Sequence, residues 1–209
     1  MIGGSVVPLR VGIRRVAATG FSAADESRRT SFVGMVMALA SWTMLFVALF
    51  FSYAVLRLNA ATWPPDGLAP LPRALPFLNT LVLLASSAVL RRGTRPESER
   101  TPGALRRALL GTMALGGLFL ALQLAVWIPL WQRGFRIDNT GTYGSIFYGL
   151  TVFHALHVLA GLVALGVLLP GAFLGRTASG RSSAVRVSAM FWHFVDVVWV
   201  VMFVAVYLV

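Results

Sequence analysis

Four ionisable side chains interrupt otherwise apolar stretches of this sequence: His154, His157, His193 and Asp196. An ionisable group at membrane depth is costly, so it needs a partner and a reason to be there. The spacing sorts them into two pairs, His154 with His157 and His193 with Asp196, each three residues apart. On a helix each pair lies on one face. Three chemistries use such groups. Imidazole is a normal axial ligand of haem. Three His and an Asp could serve as donors to zinc or iron. Intramembrane Asp and His also pass protons in relays. Against all three stands a structural role, a buried polar network that fixes how helices pack in lipid. Cys is absent, which excludes disulfides, thiolate metal sites and Cys nucleophiles. No Walker, dinucleotide or hydrolase motif occurs in a suitable setting.

The elements that carry these residues are apolar runs. The chain has 209 residues, 57% hydrophobic and 12% charged, the composition of an integral membrane protein. Nearly uncharged stretches at 31–56, 75–90, 105–131, 144–169 and 185–208 predict five transmembrane helices, the second close to the shortest that spans. Residues 1–30 read as a cytoplasmic tail, either an interfacial helix or disordered, and not as a signal peptide. Residues 31–209 form the membrane domain. Spans four and five run antiparallel. At about 1.5 Å per residue, His154 and Asp196 come out near one depth, and His157 and His193 near another. Facing pairs at matched depth predict a contact or near-contact between Asp196 and one of His154 and His157.

Charge sets the orientation. The basic residues are 18 Arg and no Lys, against seven acids, giving a net charge of +11. Of these Arg, 14 fall in the N-terminal tail and the second and fourth loops with their flanks, and 4 in the first and third loops. The positive-inside rule then places the N-terminus in the cytoplasm and the C-terminus outside. The same distribution explains the basic charge without a nucleic-acid partner. Trp63, Trp127, Trp131, Tyr143 and Tyr207 fall at the outer boundary as an aromatic belt. Arg176, Arg181 and Arg186, at the cytoplasmic ends of spans four and five, are candidates for lipid-phosphate contacts, with simple topology charge as the alternative. Gly111, Gly116, Gly117 and Gly161 allow close helix approach or fitting to lipid.

Several segments together resemble subunit III of the haem–copper terminal oxidases, the cytochrome c and quinol oxidase group. Phe153-His154-Ala155-Leu156-His157-Val158 with Gly161 is similar to that family's FHGLHV helix. Trp192-His193-Phe194-Val195-Asp196-Val197-Val198-Trp199 resembles its WHFVDVVW helix nearly letter for letter. Trp63-Pro64-Pro65 with Gly67, then Pro76, Leu78-Asn79-Thr80 and Leu83-Leu84-Ala85-Ser86-Ser87, resembles the family's WPP turn and the helix after it. Tyr143-Gly144-Ser145 is similar to the YGS that opens its next helix. The likeness runs from about residue 31 to residue 209.

The resemblance implies an all-α integral membrane protein of five transmembrane helices in a V-shaped two-plus-three bundle with lipid in its cleft. It implies a subunit of a hetero-oligomeric, proton-translocating oxidase in the bacterial inner membrane. That subunit would pack on subunit I and work beside subunits I and II, which hold the haem and copper. In this chain the resemblance implies no catalytic residue, no cofactor and no metal, but bound phospholipid. His154, His157, His193 and Asp196 then become an intramembrane polar network, and the role becomes one of stability and support for proton uptake. Two family acids are missing, at Trp42 after Ser41 and near Val126. Their loss moves the reading from proton relay towards the structural network. It also keeps open an accessory protein of nitric oxide reductase with the same fold. A free-standing transporter is the third alternative, although broken helices and inverted repeats, its usual marks, are not visible.

Overall fold

The computed structural model describes residues 23–62, 73–95, 103–135, 141–174 and 183–208, with side chains from residue 26 onward. The tail arginines Arg10, Arg14 and Arg15, the turn at Trp63-Pro64-Pro65, and Arg136 and Asp138 lie outside the described residues.

Five helices are present: α1 (Ala23–Asn59), α2 (Ala74–Gly93), α3 (Ala104–Gln132), α4 (Gly141–Phe173) and α5 (Ser183–Phe203). A π-helical turn (Val204–Leu208) continues α5. All five are long and apolar enough to cross a membrane. A lone spanning segment must be helical, because lipid offers no partners to its N–H and C=O groups. The first helix begins at Ala23, eight residues before the apolar run at Ser31. The described residues contain no strand, so the chain is all-α as expected.

The last helix is the hub. It packs against α1, α2 and α4, while α2 lies along α3 and α3 along α4. These contacts join all five helices in one bundle, with α3 reached through α2 and α4. Over its most apolar window α5 is 56% buried, against 6% for α1. Polar groups on α1 behave accordingly. The hydroxyls of Ser41, Thr43 and Ser52 each donate to the carbonyl four residues back, at 3.0, 2.7 and 2.9 Å. A hydroxyl that bonds its own helix can face lipid without an orphaned donor.

Close approach is built with glycine where it is needed. A methyl group on Gly93 would lie 2.1 Å from the Ala108 side chain, so α2 and α3 touch there backbone to side chain. At the far end of α3, Gly134 takes φ +83° and ends the helix in a Schellman turn. Phe135 N donates to Leu130 O at 3.0 Å and Gly134 N to Trp131 O at 3.2 Å. The turn fixes Phe135, whose carbonyl accepts the Tyr148 hydroxyl at 2.7 Å. Rings of Phe135, Tyr143, Phe147, Tyr148 and Tyr207 pack together at this end. The expected boundary aromatics therefore divide: Tyr143 and Tyr207 are buried, and Trp131 is exposed.

Candidate functional site

Trp192, Asp196 and Trp199 recur at i, i+4 and i+7 and so share one face of α5. That face meets hydroxyls of α2. Trp199 Nε1 donates to Thr80 Oγ1 at 2.9 Å, and Trp192 Nε1 donates to Ser86 Oγ at 3.1 Å. Ser87 Oγ hydrogen bonds Asp196 Oδ2 and lies 2.7 Å from His193 Nδ1. Three consecutive levels of α5 are thus fastened to one helix by side-chain bonds. Apolar surface gives little net attraction between helices in lipid, so such bonds and close packing carry the association.

No hydrogen bond joins Asp196 to the imidazoles of α4. Asp196 takes its partner from α2 instead, because a serine hydroxyl one residue past Ser86 reaches both the carboxyl and the His193 ring. His154 is 1% exposed, and neither ring nitrogen has a hydrogen-bond partner. It is held by rings, with Phe119 at 5.7 Å and Trp199 at 5.1 Å between centroids. His157 turns the other way. Its Nδ1–H donates to Phe153 O at 2.6 Å, and its ring meets Trp42 and Phe46 of α1, both at 5.3 Å. His193 and Asp196 share Ser87, while His154 and His157 face different rings. The depth argument placed the pairs at matched levels but could not fix the rotation of α4.

The serine, imidazole and carboxyl at Ser87 are not in the relay order of a hydrolase. There the carboxylate holds the imidazole and the imidazole takes the serine proton. Here the hydroxyl sits between the other two, so the carboxyl bonds the serine. Among the described residues no group of three or more His, Asp or Glu is gathered closely enough to hold a metal ion.

Trp192 is 0% exposed and is also a peg between helices. A methyl on Gly116 of α3 would lie 2.6 Å from its Cη2, and one on Gly161 of α4 would lie 2.8 Å from its Cε3. One indole thus fills a slot between two glycines while its nitrogen is tied to a third helix. Asn79 Nδ2 donates to Gln123 Oε1 at 3.1 Å and joins α2 to α3 in the same interior. Sequence reasoning gave no role to Thr80, Ser86, Ser87 or Asn79. The available signal was their spacing: 80 and 87 are seven apart and share a face of α2.

Arg186 lies over the Phe32 ring of α1 at 5.1 Å, and Arg176 and Arg181 lie outside the described residues. Trp42, where an acid was expected from the resemblance, packs on Phe191 at 5.0 Å as well as on His157.

The family model for cytochrome c oxidase subunit III matches residues 19–209. A Synechocystis protein named cytochrome c oxidase subunit 3 is 35% identical over 84% of this chain and 74% of its own length. The protein of that name from Thermostichus vulcanus is 32% identical over 84% of this chain and 86% of its own. A Mycobacterium leprae protein named probable cytochrome c oxidase subunit 3 is 36% identical over 84% of this chain and 86% of its own.

Proposed function

Because the chain belongs to the cytochrome c oxidase subunit III family, we propose that it is the non-redox third subunit of a proton-translocating terminal oxidase. In this reading it packs on subunit I, holds lipid, and supports the stability of the complex and proton uptake during oxygen reduction. Haem and copper belong to subunits I and II, and the chain lies in a bacterial inner membrane with its N-terminus in the cytoplasm. The distribution of Arg between alternate loops supports that orientation.

The observation that carries the reading is the use made of the most chemically capable helix. Trp192, His193, Asp196 and Trp199 each commit a polar atom to a hydroxyl of α2. Groups committed to holding helices together suit a supporting subunit. The missing acids at Trp42 and Val126 point the same way, since neither side chain can carry a proton.

Affinity purification of the tagged chain in mild detergent, followed by a haem spectrum and mass spectrometry, tests the proposal. Co-purification of a haem–copper subunit I with a copper-bearing subunit II is the expected result. Recovery of a nitric oxide reductase subunit instead would give the accessory-protein alternative, and a lone chain would overturn both.

A further inference from the structure

The groove between α2 and α5 is graded along its length. It is a cleft of about 580 Å³ lined on α2 by Leu84, Ser87 and Arg91, just past the end of that helix by Arg95, and on α5 by His193, Asp196, Val197, Val200 and Val201, with Arg92 beside its mouth. Residues 84, 87 and 91 form one stripe of α2, and 193, 196, 197, 200 and 201 one stripe of α5. Three guanidinium groups stand at one end, a serine, imidazole and carboxyl in the middle, and aliphatic side chains at the other. Arg91, Arg92 and Arg95 are all exposed.

From this we infer that the α2/α5 groove is the seat of one anionic phospholipid. Guanidinium groups bind phosphate bidentately and repel metal cations and protons, so the mouth selects a negative headgroup. The rise from Ser87 to Arg91 is about 6 Å, which puts the polar middle one helical turn beneath the phosphate, at the depth of the glycerol esters. The stripe from Leu84 to Arg91 rises about 10 Å, roughly a third of a hydrocarbon core about 30 Å thick. An acyl chain then lies along Val197, Val200 and Val201, two of which would otherwise present large apolar surface: Val197 is 61% exposed and Val201 48%.

The acid in this groove is covered: Asp196 lines the cleft but is only 4% exposed, with Oδ2 engaged by Ser87 and Oδ1 buried, so it presents little charge to an anion seated at the mouth. This inference gives the lipid-holding part of the proposed function a location. It does not depend on which partner subunits the chain joins.

The test uses the complex purified in mild detergent, with tightly retained phospholipid counted by native mass spectrometry. The wild type is compared with Arg91→Gln/Arg92→Gln/Arg95→Gln, with Val197→Phe, which narrows the chain path and leaves the charges in place, and with Arg106→Gln, an α3 arginine outside the groove that lies over the Phe173 ring. Loss of one retained phospholipid per chain in the triple variant and in Val197→Phe, with retention in Arg106→Gln, is expected. Retention in both groove variants overturns the inference. Delipidated complex is then titrated with phosphatidylglycerol or with inorganic phosphate. A rise in melting midpoint with phosphatidylglycerol alone is expected, and an equal rise with phosphate, or none with either, overturns it. The haem spectrum of the same preparation reads partner assembly separately.

Discussion

Replacing Gly116 with alanine tests the peg more sharply than any change to the indole itself. The added methyl would sit 2.6 Å from Trp192 Cη2 and 2.8 Å from Leu162 Cδ2, closer than real Cβ contacts come. Trp192 has nowhere to retreat. It is fully buried, its nitrogen is tied to Ser86, and its opposite edge faces Gly161. Overpacking of a close-packed site costs about 1–3 kcal/mol. Alanine's better helix propensity returns about 1 kcal/mol, leaving a net loss of up to about 2 kcal/mol. On the scale of proteins this size that is a fall of up to roughly 8 °C in melting midpoint. Gly117 is the control, because a methyl there meets nothing within 4 Å. The measurement is thermal unfolding in one detergent of the wild type, Gly116→Ala, Gly117→Ala, Trp192→Phe and the Gly116→Ala/Trp192→Phe double variant. Phenylalanine lacks the second ring that the methyl strikes. The double variant is therefore less destabilised than the singles summed, by about 0.5–3 kcal/mol. Equal stability of Gly116→Ala and Gly117→Ala, or strict additivity with Trp192→Phe, would show that the indole does not fill this slot.

The fastening of α5 to α2 yields three further expectations. Ser86→Ala and Thr80→Val each strand one indole N–H, and each should cost about 0.6 kcal/mol and at most about 1.7, read as a lowered melting midpoint. Ser87→Ala removes the partner of both Asp196 and His193, so it should cost more than either, about 1–3 kcal/mol for the orphaned acid; Ser87→Thr, which keeps the hydroxyl, should recover most of that loss. Asn79→Leu and Gln123→Leu should each destabilise, while the double variant should cost less than their sum, since replacing both halves of a buried pair leaves no orphan.

The five helices were legible because lipid makes them so. Runs at 31–56, 75–90, 105–131, 144–169 and 185–208 coincide with α1 to α5 to within a few residues at most ends, the exception being the start of α1 at Ala23. Length and lack of charge suffice when no other backbone arrangement is tolerated. Which helix meets which face was less legible. The pairing of α5 with α4 rested on ionisable residues alone, because charge is conspicuous in an apolar run. Ser87 is inconspicuous, since a serine can be satisfied by its own helix, as Ser41 and Ser52 are. Only the helix that faces Ser87 decides whether its hydroxyl is spent locally or across the interface. Gly116 and Gly161 were read as sites of close approach between helices, but not as two walls of one slot. That reading needs the rotations of α3, α4 and α5 together.

The same reasoning explains how α1 keeps its place without an acid. A carboxyl at position 42 would need a donor or a proton within the membrane. Trp42 needs neither: it sets its ring edge-on to His157, with planes at 86°, and against Phe191. His157 can accept those neighbours because its Nδ1–H is spent on Phe153 O within α4. Contacts of this kind are worth about 0.5–1.5 kcal/mol each beyond the area they bury. Phe46 on His157 and Arg186 over Phe32 extend the seam along the helix. The attachment of α1 to α4 and α5 through these contacts is therefore mainly aromatic, while α5 is fastened to α2 by hydrogen bonds. Two helix seams in one bundle are thus held by different physics, and a change at residue 42 that removes the ring should loosen α1 while leaving the α2/α5 bonds in place.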